Sequence, residues 1–192
     1  MGFVEIAKCA KEASLKVAAI SESVKNEALL KIAEEFEVKA VAMTDHGVMY
    51  GVIDFYKACK EAGITPIIGC EVYVAPGSRF EKEAYQTDDR YYHLVLLAEN
   101  NTGYANLSHI VSRGFTEGYY YKPRVDMELL EQYHEGIIAS SACLAGEIPQ
   151  FILHDDMDKA KSRAEHYKDM MGPGNFFLEI MPNGLDEQIK VN

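Results

Sequence analysis

Four side chains that could bind a metal ion lie at or near the ends of different predicted strands. They are His46, which follows Asp45, and then Glu71, His93 and Cys143. Imidazole, carboxylate and thiolate are the groups that bind a divalent ion such as zinc in proteins. In a chain of alternating strands and helices, the ends of several strands meet at one rim. The pattern therefore predicts that these side chains converge on one metal site.

The elements that would position these residues alternate between strand and helix patterns. Apolar runs predict strands at residues 38–43, 64–74, 92–97, 136–140 and 175–181. Helical spacing and capping residues predict helices at residues 48–61, 101–113, 126–133, 155–171 and 185–192. The polar stretch at residues 75–90 is predicted to be a mobile loop. This alternation predicts an α/β fold with a mainly parallel sheet, in a barrel or barrel-like domain.

Composition limits the class of protein. With 192 residues and 48% hydrophobic content, the chain is expected to form a single structural domain with its own core. It contains no apolar run of membrane-spanning length and no signal-peptide pattern, so a cytoplasmic location is expected. The net charge of -11 opposes a broad phosphate-binding surface. The four cysteines are widely spaced without a Cys-x-x-Cys pair, which argues against a disulfide framework or a zinc ribbon.

Five motifs follow one another in a characteristic order. They are Thr-Asp-His-Gly at 44–47, Gly-Cys-Glu-Val-Tyr-Val at 69–74, Tyr-His-Leu-Val-Leu-Leu-Ala at 92–98, Tyr-Tyr-Tyr-Lys-Pro-Arg at 119–124 and Ser-Ala-Cys-Leu-Ala-Gly-Glu at 141–147. Their order and spacing resemble the PHP (polymerase and histidinol phosphatase) domain at the N-terminus of bacterial DNA polymerase III alpha subunits. The first motif alone is typical of the wider PHP superfamily. The last two resemble the replicative polymerase branch.

This resemblance implies a distorted barrel whose rim binds divalent metals, typically zinc, manganese or iron, and hydrolyses phosphoester bonds. Some polymerase versions act as 3′ to 5′ exonucleases, whereas others have lost ligands and serve as structural modules. By position, the resemblance assigns metal ligation to His46, Glu71, His93 and Cys143. Asp45 would be a further ligand or would orient His46. The donor set favours zinc.

The N-terminus departs from the family pattern. Where the family carries a His-x-His motif and an aspartate, this sequence has Glu5, Ala7, Cys9 and Lys16. Apolar residues at helical spacing predict a helix at residues 1–20 in place of the family's first strand. The distorted (β/α) barrel is therefore expected to be incomplete. We therefore expect a divergent helical segment at 1–37 followed by a partial PHP domain at 38–192. The family's further Asp-x-His pair would lie beyond Asn192, so a partial metal site with partial occupancy is expected.

The resulting functional hypothesis is a PHP-domain fragment of a replicative polymerase that acts as a structural module with a degraded metal site. The implied partners are the remainder of the alpha subunit, DNA through that parent protein, and the proofreading exonuclease subunit; no membrane is implied. The alternative is a stand-alone metal-dependent phosphoesterase or 3′ to 5′ exonuclease that uses the same rim. The aromatic and basic stretch at 119–124 has two interpretations, stacking on nucleic acid or packing against the barrel, and the acidity of the chain favours packing.

Overall fold

The computed structural model of the chain describes residues 38–82 and 91–192, together with positions 12 and 21. The predicted helix at 1–20, the segment 1–37 and the four substituted ligand positions within it lie outside the described residues, apart from those two positions. The proposed division at residue 38 therefore stays a prediction.

Seven strands and six helices make up the described part of the chain. The strands are β1 (Ala40–Met43), β2 (Thr65–Val74), β3 (Tyr92–Ala98), β4 (Tyr119–Tyr120), β5 (Lys122–Val125), β6 (Ile137–Ser140) and β7 (Phe176–Phe177). The helices are α1 (Val52–Glu61), α2 (Asn101–Thr116), α3 (Met127–Tyr133), α4 (Glu147–Leu153), α5 (Met157–Met171) and α6 (Asp186–Val191). Within these described residues, no helix is long and apolar enough to cross a bilayer.

The strands form one mixed sheet in the order β4-β5-β2-β3-β6-β7, and β1 also pairs with β2. β1 and β5 are parallel to β2, and β7 is parallel to β6. β3 lies antiparallel between β2 and β6, so that β2 and β6 share a direction. The predicted α/β fold with a mainly parallel sheet is confirmed, since only β3 and the short β4 run against the others. Among the described strands, no pairing closes the sheet into a barrel, and closure stays a prediction.

Antiparallel β3 was not foreseen from the alternation of strand and helix. Parallel neighbours need a crossover connection, usually a helix. The described part of the connection between β2 and β3, residues 75–82, contains no helix. The chain therefore turns back beside β2, and the start of β3 lies opposite the end of β2, where His93 faces Tyr73. This reversal decides on which edge of the sheet His93 lies.

The two faces of the sheet have different surroundings. Alternate residues of β2 and β3, among them Val72, Val74, Leu94 and Leu96, are buried in the core cluster together with α2 residues such as Leu107. Their neighbours Glu71 and His93 point to the opposite face, because side chains alternate along a strand. One face of the sheet thus forms the packed core, and the other carries the candidate ligands.

One predicted strand differs from the structure in extent, and strands β4 and β5 were not predicted. The strand predicted at 175–181 extends only over Phe176–Phe177. Beyond it, the N–H of Glu179 donates to the side-chain Oγ of Ser141 at 2.9 Å instead of to a neighbouring strand. Helix α4 was not predicted. Pro149 lies in its first turn, where a helix does not need the missing N–H.

Residues 75–82 are tied to the domain rather than loose, contrary to the prediction of a mobile loop over that part of 75–90. The Arg79 side chain is 10% exposed and forms ion pairs with Asp126 at 2.7 Å, Glu117 at 2.8 Å and Glu128 at 3.3 Å. Its N–H also donates to Asp126 Oδ2. The same carboxylate caps α3 by accepting from Leu129 N. Arg79 therefore links the loop after β2 to the ends of two helices.

This ion-pair network is expected to make stability depend on pH. The hydrogen bond from Arg79 holds the pKa of Glu117 below its ordinary value of 4.5, with a second contribution from Arg113. A carboxylate with a lowered folded-state pKa stabilises the fold above its unfolded pKa, and this contribution is lost as pH falls through the folded value. Urea unfolding measures the difference in free energy of unfolding between the parent and Glu117→Gln. We expect this difference to be largest above pH 4.5 and to decrease as the pH falls below 4.5. In an Arg79→Met background the pH dependence should largely disappear; a difference that persists unchanged well below pH 4.5 would contradict this.

A close backbone contact joins α2 to the turn before β6. A Cβ added to Gly103 would lie 1.8 Å from the carbonyl oxygen of Gly136, and both backbones would have to move. Gly103→Ala is therefore expected to destabilise the protein by about 1–3 kcal/mol or more, as overpacking does. Gly51→Ala is the matched control, because the nearest atom to its Cβ would be 3.7 Å away. Thermal unfolding of both variants would test this, and equal melting temperatures would refute it.

Candidate metal centre

His46 is positioned by a backbone clamp between the end of β1 and the middle of β2. Glu71 N–H donates to the carbonyl of Asp45 at 3.0 Å, and Gly47 N–H donates to the carbonyl of Glu71 at 2.9 Å. Gly47 has φ +69, and a Cβ there would lie 2.8 Å from the Tyr73 ring. Only glycine suits this conformation and this contact. The tight turn therefore brings the His46 ring towards Glu71.

His93 and Cys143 approach Glu71 from the other side. Glu71 pairs with Val95 and Tyr73 pairs with His93, so that Glu71 and His93 are diagonal neighbours on one face of the sheet. The N–H of His93 donates to the carbonyl of Ala145 at 3.0 Å, which holds the loop carrying Cys143 beside the start of β3. Four separate parts of the chain thus supply the side chains of the site.

Glu71 Oε1 is the centre of this arrangement. It lies 2.7 Å from His93 Nδ1, 3.4 Å from His46 Nε2 and 3.7 Å from Cys143 Sγ. Cys143 Sγ is also 3.7 Å from His93 Nδ1. The side chains of Glu71 and His93 are 14% and 13% exposed, whereas that of His46 is 54% exposed. A hydrogen-bonded pair in the interior therefore meets a histidine that is open to solvent.

The donor set and its spacing fit a divalent ion. Ligand atoms of His46, Glu71 and His93 all lie within 4.8 Å of one another. Zinc bonds of about 2.1 Å in tetrahedral geometry would place ligand atoms roughly 3.4 Å apart. The separations around Glu71 Oε1 are close to that value, and the short contact to His93 would have to open. The geometry could hold one ion between these donors, with Cys143 at its edge.

The cysteines differ in their surroundings. Burial raises the pKa of the Cys143 thiol, and the charge of Glu71 raises it further, against hydrogen bonding from the backbone of Ala145. Burial raises the pKa of Cys70 to about 12. Cys70 Sγ donates to the carbonyl of Asp45 at 3.3 Å. Cys70 is therefore a packing residue, whereas Cys143 lies among the candidate ligands.

Asp45 takes part in the site through its backbone. Its carbonyl accepts from Glu71 N and from Cys70 Sγ, and the residue is exposed. The cluster of mutually close ligand atoms in the described residues comprises His46, Glu71 and His93 without the Asp45 carboxylate. In this geometry Asp45 fixes the turn that carries His46.

An open cavity of about 430 Å³ adjoins the site. Glu71 and Cys143 are on its wall, and the residues Thr44, Val95, Leu97, Ile138, Ser140 and Glu179 also line it. Ser140 Oγ donates to Glu179 Oε1, which places a second carboxylate on this wall. Sequence analysis missed Glu179, although it carries the same signal as Glu71, an acidic residue after an apolar stretch.

Aromatic rings surround the two histidines. Tyr73 lies with its ring centroid 5.2 Å from that of His93 and 6.3 Å from that of His46. Tyr91 is stacked on His93 at 6.0 Å, and Lys122 Nζ lies 5.4 Å from the Tyr73 centroid. Tyr73 lies in the motif at 69–74 and Lys122 in the motif at 119–124, but neither was predicted to lie beside the histidines, and Tyr91 belongs to no motif. A sequence does not show which residues of distant segments become neighbours.

Comparisons with known proteins place most of the chain in one family. The PHP domain family matches residues 16–183. DNA polymerase III subunit alpha of Treponema pallidum is 47% identical over 163 residues, covering 85% of this chain and 14% of its own length. The same subunit of Thermus aquaticus is 49% identical over 157 residues, covering 81% and 13%. That of Deinococcus radiodurans is 44% identical over 165 residues, covering 84% and 12%.

The chain spans only 12–14% of the length of these relatives. A solved structure of a candidate metal-dependent phosphoesterase from Bifidobacterium adolescentis covers 77% of this chain and 50% of its own at 15% identity, but its TM-score of 0.27 is too low to carry an inference. The family match and the identity to the polymerase subunits extend over most of the chain. The chain therefore belongs to the PHP domain family.

Proposed function

We propose that this chain is the PHP module of a bacterial replicative DNA polymerase alpha subunit and that it binds a divalent ion, zinc, at the rim. The proposed ligands are His46, Glu71, His93 and Cys143. The observation that carries this proposal is the position of Glu71 Oε1, within 3.7 Å of a donor atom of each of the other three. Asp45 is proposed to orient His46 through the turn, or to join as a further ligand.

The proposed role of the ion is structural. Its ligands come from the end of β1, from β2, from β3 and from the loop after β6, so one ion would join four segments that are distant in sequence. An ion that binds only the folded state stabilises that state in proportion to its concentration over its dissociation constant. The proposed partners are the remainder of the alpha subunit, DNA through that parent protein, and the proofreading exonuclease subunit. DNA synthesis would be carried by the parent.

A second candidate function is metal-dependent hydrolysis of phosphoesters, including 3′ to 5′ exonuclease activity. The open cavity next to Glu71 and Cys143 favours it, because a substrate could approach the site there. A bound divalent ion would polarise a phosphoryl oxygen and lower the pKa of a bound water. The hydroxyl groups of Thr44 and Ser140 on the wall of the cavity would contact the substrate.

Metal analysis of the purified protein tests the metal site. We expect one or at most two divalent ions per chain, bound weakly, with zinc preferred over manganese and iron in competition. Zinc should also raise the melting temperature. Tight binding of three ions would contradict a partial site. If the protein contained no zinc and added zinc left the melting temperature unchanged, the metal proposal would be refuted.

Activity assays separate the two functions. For a structural module we expect no release of nucleotide from single-stranded DNA and no release of phosphate from small esters, with or without zinc or manganese. Hydrolysis that the metal stimulates and that His46→Ala abolishes would support the phosphoesterase instead.

A further inference from the structure

A lysine lies one aromatic ring away from the candidate metal centre. The β4–β5 hairpin turns at Tyr121, and β5 pairs with the end of β2, where Tyr73 faces Arg124. This pairing places Lys122 Nζ 5.4 Å from the Tyr73 centroid, while the other contacts of that ring include His46 and His93. Tyr73 is buried, so it fixes the distance between the lysine and the histidines.

Lys122 forms no ion pair with a carboxylate of the described residues; other lysines share this property, but Lys122 lies beside the candidate site. Arg79, Arg113, Lys159, Arg163 and Lys190 form ion pairs with carboxylates. Arg124, two residues beyond Lys122, is fully buried. Among the described residues, the Lys122 ammonium group contacts the Tyr73 ring and forms no ion pair. In a chain of net charge -11, this places a positive group beside the candidate site that no described carboxylate pairs with.

Tyr91 adds a flat surface on the same side. Its ring is stacked on that of His93 with an interplanar angle of 19° and meets Tyr73 edge-on at 4.9 Å. The residue is partly exposed. An aromatic face and a cation next to each other are the groups with which proteins bind single-stranded nucleic acid, by stacking on a base and contacting a phosphate.

We propose that Tyr73, Tyr91 and Lys122 form a binding edge for single-stranded nucleic acid beside the metal centre. Lys122 contacts one phosphate, Tyr91 stacks on one base, and Tyr73 positions the lysine. This inference rests on the proposed function, since it assigns to the same rim the residues that hold a strand against it. Both interpretations of residues 119–124 then apply, each to different residues. Tyr119 packs on Phe115 and Tyr120 packs against Arg124, whereas Lys122 is assigned to the nucleic acid.

The acidity of the chain sets the expected strength. With one phosphate contact, binding should be weak and local, because the net charge of -11 repels the rest of the strand. Each phosphate contact to a single strand contributes about 0.7 to the slope of log affinity against log salt concentration. The contribution of Lys122 can therefore be measured as a change in slope.

The test is a titration of a labelled oligodeoxythymidine, followed by fluorescence anisotropy at several salt concentrations with zinc present. We expect Lys122→Gln to weaken binding and to reduce the slope by about 0.7, and Lys122→Arg to keep the parental slope. Lys161→Gln on α5 is the matched control, because it removes the same charge from an exposed position away from the site. Tyr91→Leu should weaken binding by roughly fivefold or more, while Tyr91→Phe should retain it.

Two results would overturn the proposal: no binding of the oligonucleotide by the parent protein, or equal slopes for Lys122→Gln and Lys161→Gln. Zinc content is measured on the same proteins and should be equal in all of them, because none of the substituted residues is a proposed ligand. If the metal proposal is wrong, the parent protein will contain no zinc. The change in salt slope caused by Lys122→Gln tests the binding edge independently of that result.

Discussion

Glu71→Gln is expected to weaken zinc binding by at least about 100-fold. Loss of a residue that only supports a ligand costs about 10- to 100-fold in affinity, and Glu71 is a proposed ligand whose Oε1 lies at the centre of the site. The amide keeps the size of the side chain but removes the charge that attracts the ion. Isothermal titration with zinc measures the change.

The matched control for this variant is Glu165→Gln. Glu165 is an exposed carboxylate on α5 and is expected to leave zinc affinity unchanged. Circular dichroism of both variants without zinc should match the parent, so that a loss of affinity is not a loss of fold. Equal zinc affinity in parent and Glu71→Gln would show that the ion, if bound, lies elsewhere.

Arg79→Met is expected to destabilise the protein by about 3–5 kcal/mol, as the removal of one partner from a buried ion pair does. The substitution leaves Asp126 with its charge buried and without its cation, since that carboxylate is paired with Arg79 and its residue is 3% exposed. The methionine would fill most of the volume of the arginine stem, which separates the loss of charge from the loss of packing. Urea unfolding measures the free energy.

Arg113→Met serves as the comparison. Arg113 pairs with the same Glu117, but its side chain is 46% exposed and the pair has i,i+4 spacing on one helix. Such exposed pairs contribute little to stability, because solvent screens the charges, so we expect a much smaller loss for this variant. If both variants lost less than about 1 kcal/mol, the Arg79 network would not be the anchor of residues 75–82 that its geometry indicates.

The candidate ligands were visible in the sequence because they interrupt apolar runs. His46 and Glu71 stand out as polar residues at the end of or within runs of strand type, and the order of the motifs predicted the family. The α/β class and strands β1, β2, β3 and β6 followed from the same patterns, because hydrophobic periodicity is a local property. The long helices α2 and α5 were also predicted near their observed positions.

The convergence of these residues was decided by tertiary structure. His93 opens its strand, whereas Glu71 lies in the last half of its own, and in a wholly parallel sheet they would lie towards opposite edges. Because β3 is antiparallel to β2, His93 Nδ1 lies 2.7 Å from Glu71 Oε1. The residue pattern of a strand is the same whether it pairs in the parallel or the antiparallel direction. The direction of β3 could therefore not be predicted from the sequence.

Contacts between distant parts of the chain were equally invisible. Arg79 meets Asp126 at a separation of 47 residues, and Lys122 meets Tyr73 through the register of β5 against β2. The sequence determined which side chains this protein has for binding a metal, and along which elements they lie. Only the folded sheet decided that Glu71 is their centre, that Lys122 lies beside them and that Arg79 anchors the neighbouring loop. Pairing direction and register are set by the packing of the whole chain.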